Sequence, residues 1–316
     1  MQARLLKRKL IMKMFTLSSR FLISACCALL LCGATAALSW DTTAHAQNSN
    51  APAKPKPKRL PPGSHGFEQY AGRDASDKLV TGGATRDILP PDPFDAAMKN
   101  GNGAYGDGDY KQAVGSFQQA VKIKPDNFKA NFSLGAAYEA LGDYQKAAEA
   151  YRQAAKLQPN TEQGDSPNDV LFAYYNLGNT LANANDHKAA IDAYMQVVNR
   201  VPNLSKPYYN IGLSYAAMKD QPKAIESFKK AVALNPSFEL GWYNLGLAYS
   251  NNERYTEAVE AFKKAIELEP THAEAHYNLG LAYWYTDNRA GLLAEQKALQ
   301  SSKPELAKEL AKLMTQ

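Results

Sequence analysis

The chain has 316 residues, with 36 Lys and Arg against 31 Asp and Glu and a formal charge of +5. That excess belongs to residues 1–46, which hold six basic residues and one acidic residue; the 30 basic and 30 acidic residues that follow cancel and leave no basic field for a phosphate backbone. All three cysteines, Cys26, Cys27 and Cys32, fall in one N-terminal apolar run, so beyond residue 32 disulfides and cysteine metal sites are excluded.

In chain order, residues 1–20 are studded with Lys and Arg, and Phe21 to Leu38 is an uncharged run of apolar and small residues. Ala44-His45-Ala46 then precedes Gln47 in a small-x-small pattern. This order predicts a secretory signal peptide cleaved after Ala46, and translation from Met12 or Met14 would give its charged part a more usual length. Two other readings fit. The apolar run is long enough for an uncleaved anchor with its positive end inside, and Ile23-Ser24-Ala25-Cys26 resembles a lipoprotein cleavage box. All three export the rest of the chain, to the periplasm or beyond, with a membrane tether in the second and third.

Residues 47–92 form a linker. Its first part, QNSNAPAKPKPKRLPPG, buries too little apolar surface to offset its ordering entropy, and its prolines favour an extended, solvated spacer. The basic run Lys54, Lys56, Lys58 and Arg59 offers weak contact with anionic lipid or cell-wall polymer. Residues 64–92 show no sustained periodicity, and the pattern allows one short induced helix near Phe67–Lys78.

From Pro93 the chain repeats. Pro125 and Pro159 are 34 residues apart, as are Pro202, Pro236, Pro270 and Pro304, and the longer Pro159–Pro202 gap contains nine extra residues within 161–170. Leu-Gly or Ile-Gly recurs at Gly135, Gly178, Gly212, Gly246 and Gly280 in the same register. Alanines recur at Ala113, Ala147, Ala190, Ala224 and Ala258, each followed four residues later by Phe117, Tyr151, Tyr194, Phe228 or Phe262. Small residues let two helices approach, aromatics are expected to fill the space between neighbouring repeats, and proline stops the second helix of each pair.

These landmarks resemble the tetratricopeptide repeat family, most fully in WYNLGLAY (242–249) with ERYTEAVEAFKKAIELEP (253–270). The resemblance covers six repeats: 94–127, 128–161, 171–204, 205–238, 239–272 and a divergent 273–306. It implies an all-α, right-handed solenoid of antiparallel helix pairs over 93–316. The last apolar face is expected to be covered by an amphipathic capping helix at 304–314, with Leu306, Leu310 and Leu313 on one side.

No segment reads as catalytic or as a cofactor site. Gly101-Asn-Gly103-Ala-Tyr-Gly106 spells the dinucleotide fingerprint but lies inside a repeat helix rather than after a strand. Asp107-Gly-Asp109 occupies the inter-helix turn and lacks the other ligands of a calcium loop. His272 and His276 are four apart without a companion metal ligand, and His276 stands where the repeat has tryptophan.

The sharpest functional pattern lies on the first helices, which in this family line the concave face. Tyr-Asn precedes Leu/Ile-Gly in four successive repeats, as Tyr175-Asn176, Tyr209-Asn210, Tyr243-Asn244 and Tyr277-Asn278, and Asn179 adds an amide one turn later. Stacking turns these into a ladder of rings and amides suited to a polypeptide backbone. Lys129 and Lys206 are the only inner-face lysines, too few for the carboxylate clamp that some relatives use on chaperone C-termini, though Lys206 adjoins the ladder. The expectation is a non-catalytic, cofactor-free scaffold of the bacterial envelope that binds a partner protein in its groove and does not bind nucleic acid. The alternative is an adaptor that self-associates or contacts wall or membrane through the basic linker.

Overall fold

The computed structural model describes residues 92–157, 166 and 168–315. The N-terminal segment expected to direct export, the linker up to residue 91 with its Phe67–Lys78 stretch and basic run, and most of the 161–170 insertion lie outside the described residues. Among the described residues all regular structure is helical. The helices are α1 Pro93–Gly106, α2 Tyr110–Ile123, α3 Phe128–Ala140, α4 Tyr144–Lys156, α5 Asp169–Asn183, α6 His187–Arg200 and α7 Ser205–Ala217. They continue with α8 Gln221–Leu234, α9 Glu239–Asn251, α10 Tyr255–Leu268, α11 Ala273–Tyr285, α12 Arg289–Ser302 and α13 Pro304–Leu313. Each odd-numbered helix up to α11 packs on the next even one, each even one up to α10 packs on the first helix of the following repeat, and α12 packs on α13. This is the stacked helical solenoid expected from the repeat.

The turn inside each pair has one backbone requirement. The residue two before the second helix is left-handed in all six repeats: Gly108 and Gly142 with φ of 80° and 76°, then Asn185, Lys219, Glu253 and Asp287 at 57–64°. Glycine meets this without strain, whereas a side chain there carries a steric cost. The next residue caps the helix. Asp109, Asp143, Asp186 and Asp220 each accept from the backbone N–H three residues on, as does Asn288, and Arg254 breaks the series. Asp109 is thus a capping residue, and Gly101–Gly106 lies within α1, as read from the sequence.

Within each pair the decisive contact is a ring laid on a glycine. A Cβ added at Gly101, Gly178, Gly212 or Gly246 would stand 2.5–2.6 Å from the ring of Phe117, Tyr194, Phe228 or Phe262, and at Gly135 it would stand 2.8 Å from Tyr151. These rings are the largest fully buried side chains among the described residues. The expectation that they fill the space between repeats is therefore corrected: each ring closes its own pair, because only a glycine surface lets the second helix come so near.

The last repeat departs from this rule. Its ring position is Gln296, and a Cβ at Gly280 would instead meet Leu310 of α13 at 2.6 Å. Leu310 is wholly buried, with Ala307 and Leu313 beside it. The capping helix therefore supplies the side chain that the sixth repeat lacks, as well as covering its open face.

The glycine rule gives a paired prediction. Gly246→Val, whose methyls would enter the buried Phe262 ring, is expected to destabilise the array by about 3 kcal/mol through overpacking and lost helix preference. Gly103→Ala, where nothing lies within 4 Å of the added Cβ, is expected to stabilise it by about 0.5–1 kcal/mol. Urea unfolding followed by circular dichroism measures both.

Candidate functional site on the inner helices

The first helices of repeats three to six touch their counterparts in the next repeat (α5 with α7, α7 with α9, α9 with α11), while the second helices stay further apart. The closer row lies on the inside of the curve, so the first helices line the concave face. The charges gather elsewhere. Second helices carry exposed ion pairs such as Lys230–Glu226, Lys263–Glu260 and Lys264–Glu267, which are solvated outer faces.

On the inner helices the Tyr-Asn ladder is assembled, and its rungs run between repeats. The Asn244 amide donates to the Tyr209 hydroxyl at 3.0 Å, Asn278 to Tyr243 at 3.2 Å and Asn210 to Tyr175 at 3.1 Å. Every rung joins residues 35 apart, so each asparagine holds the tyrosine of the repeat before it. Asn244 gives its second N–H to the Leu240 carbonyl and Asn278 to that of Glu274. A carbonyl only accepts, which fixes the orientation of both amides and makes each tyrosine the acceptor in its rung. Asn210 gives its second N–H to Oδ1 of Asn179, which also accepts from the Tyr194 hydroxyl at 2.8 Å.

The ladder is therefore a structural tie between repeats before it is a binding surface. The amide hydrogens of Asn210, Asn244 and Asn278 are engaged within the protein, and their carbonyl oxygens are what remains for a ligand. Asn176 differs. The tyrosine position one repeat earlier is Phe132, which has no hydroxyl, and among the described residues Asn176 makes no such bond. At the other end Tyr277 has no following asparagine, and its hydroxyl donates instead to Glu309 of α13 at 2.9 Å. Burial and that carboxylate push the Tyr277 phenol well above its ordinary range. Lys206 sits half-buried on α7, where desolvation lowers its ammonium and it already has a partner.

Two features of this face escaped the sequence reading. Leu213, Leu247 and Leu281 follow the glycine in repeats four to six and stand half-buried on the inner helices against the core. Their 34-residue spacing was visible, but leucine on a helix says nothing of which face it occupies. Glu139 is the other. Its half-buried carboxylate accepts from the Tyr151 hydroxyl at 2.9 Å, and desolvation pushes it above the usual carboxylate range. The Tyr105 phenol, raised to about 12 by burial, feels Tyr110 and Glu139.

Tetratricopeptide repeat models match residues 98–161, 173–203, 205–238, 227–260 and 251–286, more than half of the chain together. The chain belongs to the tetratricopeptide repeat family. Among solved structures, a MamA protein is 28% identical with a TM-score of 0.50, over 58% of this chain and 94% of that one. MamA from Desulfovibrio magneticus RS-1, residues 41 to the end, is 25% identical with a TM-score of 0.50, over 57% and 97% of the two chains. YrrB, described as a TPR protein with an unusual peptide-binding site, shares the fold at 22% identity and a TM-score of 0.51, over 62% and 97%. No curated protein matches the chain. A tetratricopeptide array is a protein-interaction scaffold, which is the coarse function of this chain.

The inter-repeat rungs separate the asparagines in stability. Asn244→Ala removes the inter-repeat bond to the Tyr209 hydroxyl and the side-chain bond to the Leu240 carbonyl, and is expected to cost about 1–2 kcal/mol. Asn176→Ala is expected to stay within about 0.5 kcal/mol of the parent. Thermal unfolding of the two variants checks the difference.

Proposed function

We propose that this chain is an exported, non-catalytic scaffold of the bacterial envelope whose concave face holds a polypeptide segment of a partner protein. The observation that carries this reading is the composition of that face in repeats four to six. Half-buried Leu213, Leu247 and Leu281 alternate with asparagine carbonyl oxygens whose amide hydrogens are already engaged. Such a strip offers apolar anchorage and hydrogen-bond acceptors. It suits a segment with apolar side chains and free backbone N–H groups, which an extended strand presents and a helix does not. The carboxylate clamp is not part of this reading, because the face carries no array of lysines.

Export rests on the N-terminal order of basic residues, apolar run and Ala44-His45-Ala46. A periplasmic or secreted chain follows from cleavage, and an inner-membrane tether follows if the segment is retained. Intact-mass measurement on protein recovered from the native host is expected to show a chain starting at Gln47; a chain retaining Met1, or carrying lipid at Cys26, would replace this reading with one of the tethered forms.

The groove is tested by crosslinking in the native host followed by mass spectrometry. Leu213→Asn, Leu247→Asn and Leu281→Asn use the residue that repeat three carries at the same place, Asn179. The triple variant is expected to keep its helicity and to lose roughly tenfold or more of the crosslinked partner, as removal of central apolar anchors does elsewhere. Unchanged capture would overturn the concave face as the binding surface.

A further inference from the structure

Two histidines stand at the start of α11, His272 at its N-cap and His276 one turn in, each against a carboxylate that the groove does not use. His276 occupies the place of Trp242 in repeat five and Asn131 in repeat two. All three do the same thing there: Asn131, Trp242 and His276 bond the carbonyl of the proline six residues earlier, at 2.8, 2.9 and 3.0 Å. A carbonyl only accepts, so Nε2 of His276 carries a hydrogen. Its Nδ1 lies 2.6 Å from Oε2 of Glu295 on α12, and both side chains are largely buried, at 16% and 14% exposure. An imidazole that faces a carbonyl with one nitrogen and an ionised carboxylate with the other is satisfied only as the doubly protonated cation.

Glu295 is as unusual as its partner. At its place in the other repeats stand Ser116, Ala150, Ala193, Ser227 and Ala261, all small, so repeat six alone replaces a neutral packing contact between its two helices with a charged pair. Four residues earlier, His272 repeats the device between repeats. Its Nδ1 is 2.5 Å from Oε1 of Glu239 on α9, its Nε2 is 3.8 Å from Glu274, and its ring lies 4.5 Å from that of Tyr243. The charged groups that face the two histidines are Glu295 from α12, Glu239 from α9, Glu274 on α11, and Glu269 in the turn before it. All are carboxylates.

We propose that the last repeat and its capping helix are held on the array by a proton latch, in which cationic His276 and His272 pair with Glu295 and Glu239 and are released as the medium becomes alkaline. Both rings are held above the ordinary histidine range, His276 chiefly by Glu295 and His272 chiefly by Glu239, with burial opposing. A base whose proton affinity rises on folding stabilises the fold fully below its unfolded value and loses that contribution as pH climbs through the folded one. The loss therefore falls in the neutral-to-alkaline range. Deprotonation leaves Glu295 inside the helix pair without its counter-charge, while repeats one to five have no such pair at this position. Because α11 also carries Tyr277 and Asn278, release loosens the C-terminal end of the concave face.

Hydrogen exchange on the full chain, corrected for intrinsic rates, at about pH 6 and about pH 9 tests the latch. Protection across α11–α13 is expected to fall at the higher pH relative to α1–α4. His276→Trp with Glu295→Ala restores the Trp242/Ala261 pair of repeat five, and is expected to remove most of that selective loss; His272→Asn should remove the remainder. Nitrogen NMR of the parent chain reads the same point without a variant: near neutral pH both ring nitrogens of His276 should carry protons. A neutral His276 ring there, or α11–α13 exchange that follows the rest of the array at both pH values, would overturn the proposal.

Discussion

An aromatic ring resting on the bare backbone of a glycine is the contact on which the array depends. The pairs Gly101–Phe117, Gly135–Tyr151, Gly178–Tyr194, Gly212–Phe228 and Gly246–Phe262 bring the two helices of a repeat closer than any side chain on the first helix would allow. Once that distance is set, the alanines of the second helix are buried, a short left-handed turn can connect the pair, and one side of each pair is left open. Stability then comes from stacking, so a repeat is folded by its neighbours as much as by itself. Repeat six tests the rule from the other side: with Gln296 in place of the ring, its Gly280 notch is filled by Leu310 from the capping helix.

The ladder adds a second, polar tie to the same stack. A Tyr hydroxyl that accepts from the following repeat's asparagine fixes how far one pair is rotated on the next, which an apolar interface alone specifies less tightly. Both ends show what happens when the series runs out. Phe132 offers Asn176 no hydroxyl, and Tyr277, with no asparagine beyond it, turns to Glu309. The tyrosines and amides that look from sequence like a row of free recognition groups are in large part a device for setting the curvature of the groove, and recognition falls to what that device leaves over.

This division explains which parts were legible in advance. The helix pairs, their turns and the capping helix follow from local residue choices repeated every 34 positions, and such choices act within a few residues of themselves. The partition of each amide between structure and groove depends on contacts across 35 residues and on which way a side chain leans. Periodicity marks Asn244 and Asn176 as equivalent; only the neighbour one repeat back makes them different. The ring-on-glycine contact was half visible, since the pattern named both partners but assigned the ring to the wrong gap. Glu295 was hidden for a similar reason. Its place is recognised as abnormal only once it is known to lie beneath His276, where other repeats have serine or alanine.

Placing a charged pair at the end of the array rather than within it has a physical logic. An internal repeat is clamped from both sides, so loosening one pair must disturb two stacking interfaces at once. The sixth repeat has a single repeat behind it and one short helix, α13, over it, so its docking is the least expensive to perturb. The same helix α11 presents Asn278 to the concave face and His276 to α12. Any ligand that binds better to the docked form must, by linkage, strengthen proton binding at the histidines, and protonation must strengthen ligand binding by the same factor. The groove and the latch share one helix, and a ligand couples to the protons there only through its preference for the docked form.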